Sequence, residues 1–230
     1  MTQEQLLLLP LWYVVFLLSV TCHEAAHAFA AYRGGDSTAY LGGQVSLNPI
    51  PHIRREFTGT ILVPVISFVY MGWMMGWASA PYDPFWEDRH PKRAAVMAAA
   101  GPLANLALAL LGLAALKIGI GSGLWIQPAE IRIDRLVVVA TEQGALWDGI
   151  GRLLSVMLTL NLVLFLFNLL PLPPMDGASV VAGFVRPFRE LRDRMRTNPI
   201  AGLAGLVVAW YGFGYVFWPM YRVVLRWLYA

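Results

Sequence analysis

The residues most capable of chemistry in this sequence are two histidines four positions apart, with a glutamate directly after the first. His23, Glu24 and His27 form the pattern H-E-x-x-H inside a long apolar run. Residues four apart lie on one face of a helix, so both imidazoles could reach one zinc ion at about 2.0–2.1 Å. Glu24 would then act on the attacking water as a general base rather than as a ligand. The pattern therefore predicts a catalytic metal site on a helix.

A chance match and a metal-binding role for Cys22 are the two weaker interpretations of this region. With four histidines in the chain, about 0.002 exact matches to the pattern are expected by chance. Ionisable side chains within an apolar helix of membrane length are costly and mark function by default. Cys22 adjoins His23 but points about 100° away around the helix, so it is expected to pack rather than to bind metal.

A catalytic zinc usually has three protein ligands, so the third must come from elsewhere in the chain. His52, in a loop, and His90, in a charged stretch, are expected to be ordinary solvated or interfacial residues. Asp176 is the better candidate because it follows the run N-L-L-P-L-P-P-M, whose prolines must break a helix. Pro173 and Pro174 predict a new helix with Asp176 near its first turn. A helix-capping aspartate at the interface is the alternative.

The elements that must carry these residues are membrane helices. Apolar residues make up 58% of the 230 residues, charged residues make up 13%, and the net charge is +3. This composition excludes a disordered chain, a basic nucleic-acid-binding domain and a coiled-coil or collagen-like rod. The first five residues lack the Lys or Arg of a signal peptide, so the first apolar run is expected to be retained. Four runs are long enough to span a bilayer: residues 6–32, 94–118, 145–170 and 199–221.

Residues 57–79 form a fifth apolar run, interrupted by Pro64, Gly72 and Gly76. The predicted ligands decide how this run is interpreted. The histidines lie near the C-terminal end of the first span, and Asp176 follows the C-terminal end of the third. These two spans must run in the same direction for the ligands to meet, so an odd number of crossings separates them. The second span is one crossing, and residues 57–79 are therefore predicted to be re-entrant; a full crossing is the alternative.

Shorter segments connect these runs. Residues 33–56 hold four glycines and two prolines, and the alternating residues 44–47 after Gly42-Gly43 predict a short β-hairpin. Residues 119–144 are too few for a further folded domain. Residues 186–196 carry five arginines and two acidic residues, which predicts an amphipathic segment before the last span.

The motifs H-E-A-A-H and N-L-L-P-L-P-P-M-D-G together resemble the site-2 proteases, the intramembrane zinc metalloproteases of the M50 group. G-P-L-A-N at residues 101–105 matches the family motif G-P-x-x-N, and S-L-N-P at 46–49 resembles small bacterial members without a PDZ or CBS domain. The resemblance covers about residues 20–183. The chain departs from it at residues 52–55, where H-I-R-R stands in place of the frequent H-I-D-P.

The resemblance implies roles for six residues. His23, His27 and Asp176 would bind one zinc ion per chain, and Glu24 would activate the water. Asn105 and Asn168 would make polar contacts to the substrate. A substrate helix must unwind before its peptide bonds can be cleaved, and an exposed strand edge could hold the extended segment by strand addition. The predicted edge is residues 43–48, including Gly43 and Val45, with residues 77–82 as second candidate.

The implied architecture is an all-α polytopic membrane protein. It has a three-helix site-2-protease core with a re-entrant segment, a short β-hairpin and a C-terminal helix. Residues 1–230 are expected to form one domain, with the core at 6–186 and the amphipathic segment and last helix at 187–230. This topology gathers most basic residues on one side, which the positive-inside rule makes cytoplasmic. They are Arg33, Arg54, Arg55, Arg89, Lys92, Arg93 and the five arginines of residues 186–196.

The expected function is hydrolysis of peptide bonds in or near transmembrane segments, in regulated intramembrane proteolysis or signal-peptide clearance. The expected partners are transmembrane protein or peptide substrates and the lipid bilayer, with no nucleic acid, and a regulatory membrane partner if the site must be kept idle. The expected location is the cell membrane, with the active site toward the cytoplasm. A membrane zinc transporter or sensor with the same ligands is the main alternative, although it would not need Glu24. An inactive binding scaffold is a third reading, against which the intact motif residues argue.

Overall fold

The protein is described by a computed structural model that covers residues 3–140 and 144–230. Long helices dominate these residues, and short helices and one small sheet connect them. In chain order the elements are α1 (Gln3–Gly34), α2 (Thr38–Leu41), α3 (Pro49–Arg55), a π-helical turn (Thr58–Leu62), α4 (Val63–Met71), α5 (Pro84–Arg89), α6 (Pro91–Gly121), β1 (Trp125–Ile126), β2 (Val138–Val139), α7 (Ala145–Asn168), α8 (Asp176–Phe184), α9 (Arg186–Arg196) and α10 (Pro199–Tyr229).

Four of the described helices, α1, α6, α7 and α10, are long and apolar enough to cross a membrane, which confirms the four predicted spans. Helix α10 runs to Tyr229, eight residues beyond the predicted end at residue 221. Its last turns contain Arg222 and Arg226, whose positive charges favour a helix C-terminus. Phe217, Tyr221 and other apolar residues of α10 pack in the same buried cluster as residues of α6 and α7.

Helix α6 runs antiparallel to α1. At the start of α6, Arg93 Nη1 donates a hydrogen bond to the carbonyl of Gly34, the last residue of α1 (3.1 Å). Further along α6, Asn105 Nδ2 donates to the carbonyl of Ser19 in the middle of α1 (3.3 Å). Increasing residue number on α6 therefore corresponds to decreasing residue number on α1.

Helix α6 also runs antiparallel to α7. Asn105 Nδ2 donates to Asn161 Oδ1 (2.9 Å). Further along α6, Gly112 packs directly on the backbone of Leu158, an approach that is possible because glycine has no side chain. Helices α1 and α7 consequently run in the same direction on either side of α6. This is the arrangement that the predicted ligands require.

Residues 57–83 leave the end of α3, form a short helix and turn back. Gly72, with φ of +77°, ends α4, and residues 74–83 beyond it form neither helix nor strand. The backbone N–H of Trp77 then donates to the carbonyl of Gly59 (3.1 Å), so the returning chain lies beside the start of the helix. The break lies at one of the predicted positions, while Pro64 is tolerated in the first turn of α4. The helical part, Thr58–Met71, is shorter than the about 20 residues of a membrane span.

The hairpin predicted at residues 42–47 is wrong. These residues form turns and bends, and the backbone N–H groups of Gly43 and Gln44 donate back to the carbonyls of Tyr40 and Ala39. The two glycines thus end α2, and Asn48 caps the N-terminus of α3, which leaves no room for paired strands. The sheet that the structure does describe pairs β1 and β2 antiparallel, within the connection between α6 and α7.

A buried ion pair fastens the arginine-rich helix α9 to the rest of the protein. Arg192 is only 3% exposed, and its Nη1 lies 2.7 Å from Oε1 of Glu87, at the end of α5. Arg196 of the next turn also contacts Glu87, and Asp193 contacts Arg192 on its other edge. A buried cation without such partners would strongly destabilise the fold.

Replacing Glu87 with glutamine is expected to lower the free energy of unfolding by about 3 kcal/mol. Loss of one partner of a buried ion pair costs about 3–5 kcal/mol, and the remaining contact to Asp193 favours the lower end. Denaturant titration in mixed micelles measures the loss. Glu190→Gln is the matched control, because its pair with Arg186 is exposed and worth at most about 1 kcal/mol. Equal losses in both variants would contradict a special role for the buried pair.

Candidate metal centre and its cavity

Three side chains converge at the contact of α1, α6 and α8. The Nε2 atoms of His23 and His27 lie 3.0 Å apart, and Asp176 Oδ2 lies 3.1 Å from the first and 3.4 Å from the second. Ligands of a tetrahedral zinc ion at 2.0–2.1 Å are separated by about 3.3 Å, so the triangle has the right size. Among the described residues, these three form the one group of histidine, cysteine or acidic side chains that could hold a metal ion.

Local structure explains why these atoms meet. His23 and His27 are one turn apart on α1 and therefore share a face. Helix α7 ends at Asn168, and the proline-rich residues that follow turn the chain so that α8 begins at Asp176. This helix start agrees with the one predicted from Pro173 and Pro174.

Hydrogen bonds orient both imidazole rings. His23 Nδ1 lies 2.5 Å from Asn105 Oδ1, and His27 Nδ1 lies 2.7 Å from the carbonyl of Met97. Both partners are acceptors, so each Nδ1 must carry the proton and donate it. Each Nε2 is then left with a free lone pair directed at the common point, as is usual for histidines that bind metal.

Gly101 of α6 lies against the two ring nitrogens. A Cβ atom at this position would overlap His27 Nε2 and would lie 2.6 Å from His23 Nε2. The space beside the nitrogens is therefore preserved by the absence of a side chain. The donor set, its separations and this space together fit a zinc ion.

A Gly101→Ala variant is expected to lose most of its bound zinc, because the added methyl group displaces both imidazoles. Zinc content by mass spectrometry of the purified protein, together with its unfolding temperature, measures the effect. Gly121→Ala is the matched control, since nothing lies within 4 Å of a Cβ at that position near the end of the same helix. Full zinc occupancy in Gly101→Ala would show that the nitrogens do not converge on the metal as described.

The converging ligands open onto a cavity of about 990 Å³. Glu24, which is 6% exposed, also faces this cavity, and Asp176 is its most accessible ligand, with 24% of its side chain exposed. The walls are mainly apolar and come from α7, α10 and the irregular chain after α4. They include Leu164, Phe167, Met75, Gly76, Trp77, Ala78, Val207, Trp210 and Phe213.

Comparison with known proteins agrees with this geometry. The profile of Peptidase family M50 matches residues 11–211, most of the chain. The chain belongs to peptidase family M50. This M50 peptidase is 35% identical to YwhC of Bacillus subtilis over 93% of its own length and 86% of that protein. It is 32% identical to Rip2 of Mycobacterium tuberculosis over 75% of its own length and 56% of that protein. Both relatives are named as zinc metalloproteases.

The family and its relatives establish that this M50 peptidase is a zinc metalloprotease of the membrane. A third relative, Rip3 of Mycobacterium tuberculosis, is 30% identical over 85% of this chain, which spans only 36% of that protein. No solved structure matches the chain significantly.

The residues expected to contact substrate fall in different places in this M50 peptidase. Asn168 lines the cavity, although its side-chain amide donates to the carbonyl of Leu164 in its own helix. Asn105 is fully buried behind His23 and does not line the cavity, and its contact with substrate stays a prediction. Gly43 and Val45 belong to the turns after α2 and form no strand edge.

The second candidate edge lies where substrate could reach it. Residues 73–80 line the cavity wall and have no helix or strand assignment. Of the candidate edge at residues 77–82, residues 77–80 and Tyr82 reach the cavity. Trp73 stacks on Trp210 of α10, with ring centroids 5.9 Å apart, which fixes one end of this segment. The segment thus forms a wall shared by the metal ligands and α10.

The remaining metal-binding residue types of this M50 peptidase lie outside the ligand group. His52 is buried in α3, with Nε2 3.1 Å from the carbonyl of Ser46, so it is not the solvated residue expected. His90 lies between α5 and α6 beside the ring of Trp86. Cys22 is partly exposed and is not part of the group His23, His27 and Asp176.

A polar corner of the cavity was not anticipated from the sequence. Arg196 of α9 donates a hydrogen bond to the phenol oxygen of Tyr82, and its guanidinium lies 5.7 Å from the centre of that ring. Burial raises the pKa of Tyr82, and the nearby Glu87 carboxylate raises it further, so the phenol stays protonated. The two partners are 114 residues apart in sequence, and no local pattern connects them.

Proposed function

We propose that this M50 peptidase hydrolyses peptide bonds in or near the transmembrane segments of membrane proteins. The observation that carries the proposal is one apolar cavity, beside helices of membrane length, that receives the three ligands together with Glu24. An apolar cavity suits a substrate drawn from a bilayer. Regulated proteolysis of membrane proteins and clearance of signal peptides both require this reaction.

In this mechanism His23, His27 and Asp176 hold one zinc ion. Bound zinc supplies a Lewis acid that polarises the scissile carbonyl and makes water more acidic. Glu24 faces the same cavity and accepts the proton of the attacking water. The water oxygen bonds to the scissile carbonyl carbon, and Glu24 then delivers the proton to the amine nitrogen as the C–N bond breaks, which restores the Glu24 carboxylate.

Residues 73–80 are the proposed docking edge for an unwound substrate. Backbone N–H groups at Met75 and Trp77 are used internally, by Ser67 Oγ and the carbonyl of Gly59. The N–H groups of Gly76 and Ala78 donate no hydrogen bond within the part of the chain that the structure describes. A substrate strand could pair with them, and Asn168 could rotate to bind a freed backbone group.

The proposed location is the cell membrane, with the zinc site toward the cytoplasm and residues 1–230 acting as one domain. The ends of α1 and α7 and the start of α6 lie on the side that carries most of the basic residues, which the positive-inside rule makes cytoplasmic. Fusions at the C-terminus test this orientation: alkaline phosphatase should be active there and green fluorescent protein should not. The reverse pattern would overturn it.

A membrane zinc transporter or sensor is the competing function. A transport path would need successive ligand sets, whereas the described residues contain one group. A transporter would also have no use for Glu24 beside the ligands.

The deciding experiment compares membrane fragments from cells that express the chain or its Glu24→Gln variant, at equal protein and zinc levels. N-terminal peptide mass spectrometry should reveal new ends within apolar segments only when Glu24 is intact, and would also name the substrates. Identical fragment sets, together with equal uptake of zinc by cells that express either protein, would favour the transporter.

A further inference from the structure

A chain of buried polar side chains lies beneath the proposed zinc site, where α1, α6 and α7 meet. Ser19, Asn105 and Asn161 contribute one side chain from each helix, and all three are fully buried. Burial of polar groups in an apolar core is costly unless their hydrogen bonds are satisfied. The proposed mechanism gives no task to Asn161 or to the Ser19 hydroxyl.

The hydrogen bonds of this chain have a fixed direction, because the backbone carbonyls of Val15, Met157 and Ser19 anchor it. Asn161 Nδ2 lies 2.9 Å from the carbonyl of Met157 and 2.9 Å from Ser19 Oγ. Ser19 Oγ donates its own proton to the carbonyl of Val15 (2.7 Å), so it can only accept from Asn161. A carbonyl cannot donate, and Asn161 must therefore direct its NH₂ group at Met157 and Ser19.

Asn161 and the carbonyl of Ser19, which accepts a longer hydrogen bond (3.3 Å) from Asn105 Nδ2, together determine the orientation of Asn105. With its NH₂ group engaged, Asn161 presents Oδ1 to Asn105 Nδ2, at 2.9 Å. Asn105 must then present its own Oδ1 to His23 Nδ1, at 2.5 Å. An oxygen at that position accepts only, so His23 carries its proton on Nδ1 and leaves Nε2 free.

We propose that Asn161 is a positioning residue for the zinc site, two hydrogen bonds away from the ligand that it controls. It holds the amide of Asn105 in the orientation that keeps His23 in the metal-binding tautomer. Without Asn161, Asn105 Nδ2 keeps only its longer hydrogen bond to the carbonyl of Ser19 (3.3 Å). The amide is then held less firmly and can rotate to offer NH₂ to His23, which would place the imidazole proton on Nε2 and block binding. The inference rests on the proposed function, because it takes His23 to be a zinc ligand.

The competing explanation is that the polar chain only holds three helices together. Asn161→Leu removes both of its hydrogen-bonding roles at similar volume. Ser155→Ala is the matched control, because Ser155 lies on the same helix, is equally buried and bonds to Gly151 and Leu136 away from the ligands. Both substitutions should lower the unfolding temperature, but only Asn161→Leu should change zinc affinity and the His23 tautomer.

The experiment measures two properties of each purified protein. Zinc affinity, by competition with a chelator, should fall about 10–100-fold in Asn161→Leu, the usual effect of losing a partner behind a metal ligand, and should be unchanged in Ser155→Ala. In zinc-free protein with ¹⁵N-labelled histidine, NMR should show the Nδ1–H tautomer of His23 in the parent and a mixture in Asn161→Leu.

Wild-type zinc affinity and an unchanged His23 tautomer in Asn161→Leu would overturn the proposal and leave the polar chain a structural link. Ser19→Ala provides a milder test if Asn161→Leu does not fold. It removes one of two acceptors of Asn161 Nδ2, and the proposal then requires a smaller loss of zinc affinity. Failure of the proposed function would look different, because the parent protein would then bind no zinc or would cleave nothing, whatever the tautomer of His23.

Discussion

Glu24→Gln is expected to slow peptide-bond cleavage by about 10²–10⁴-fold while the protein binds zinc as before. This range is the usual contribution of a positioned general base. Glutamine has the same shape but cannot accept the proton of the attacking water. Glu24 lies in the cavity with the ligands without belonging to the group of ligand atoms, so its loss should leave zinc binding intact.

The measurement is kcat on a transmembrane peptide that cells are found to cleave, with zinc content determined on the same sample. Glu130→Gln is the control, since Glu130 is exposed in the connection between α6 and α7. Activity retained by Glu24→Gln at full zinc occupancy would exclude Glu24 as the base. Loss of zinc along with activity would instead assign Glu24 to the metal itself.

Asp176→Ala is expected to abolish cleavage and to lower zinc affinity strongly. The loss of affinity should exceed the factor of about 10–100 that is typical when a hydrogen-bond partner behind a metal ligand is removed. The substitution leaves two histidines, and a catalytic zinc ordinarily needs three protein ligands. It also removes the negative charge that lies 3.1 Å and 3.4 Å from the two imidazole nitrogens. The side chain is only partly buried, so the fold should survive its truncation.

Chelator competition measures this affinity, and circular dichroism checks the fold. Asp88→Ala, which removes an exposed carboxylate from α5, should bind zinc like the parent protein. Parent-like zinc affinity in Asp176→Ala would contradict its role as third ligand. Cys22 would then become the next residue to test, because it directly precedes His23.

Local sequence patterns carried much of the architecture. The four spans are recognisable because each must offer about 20 apolar residues to lipid, a requirement that holds regardless of packing. The start of α8 at Asp176 is similarly local, since prolines end one helix and favour the beginning of the next. Even the common direction of α1 and α7 followed from the sequence, because three ligands must reach one point.

Local sequence patterns could not predict conformations and contacts that depend on partners far away in the sequence. The turn at residues 42–47 has the alternation of a strand, but a strand needs a partner, and the backbone donors there return to α2. Asn105 belongs to a motif, yet only the packing of α1 against α6 shows that it faces His23 instead of the cavity. The pairing of Tyr82 with Arg196 likewise depends on how α9 docks.

The sequence by itself determined the chemistry of this M50 peptidase: two histidines and a glutamate at helical spacing, an aspartate after a proline break, and helices of membrane length. Their types and spacing are sufficient because metal coordination and lipid solvation restrict which residues can stand there. Only the tertiary structure decided which atoms support those ligands. Ser19, Asn105 and Asn161 meet through contacts 56 to 142 residues apart, and a hydrogen bond at such separation depends on how three helices pack.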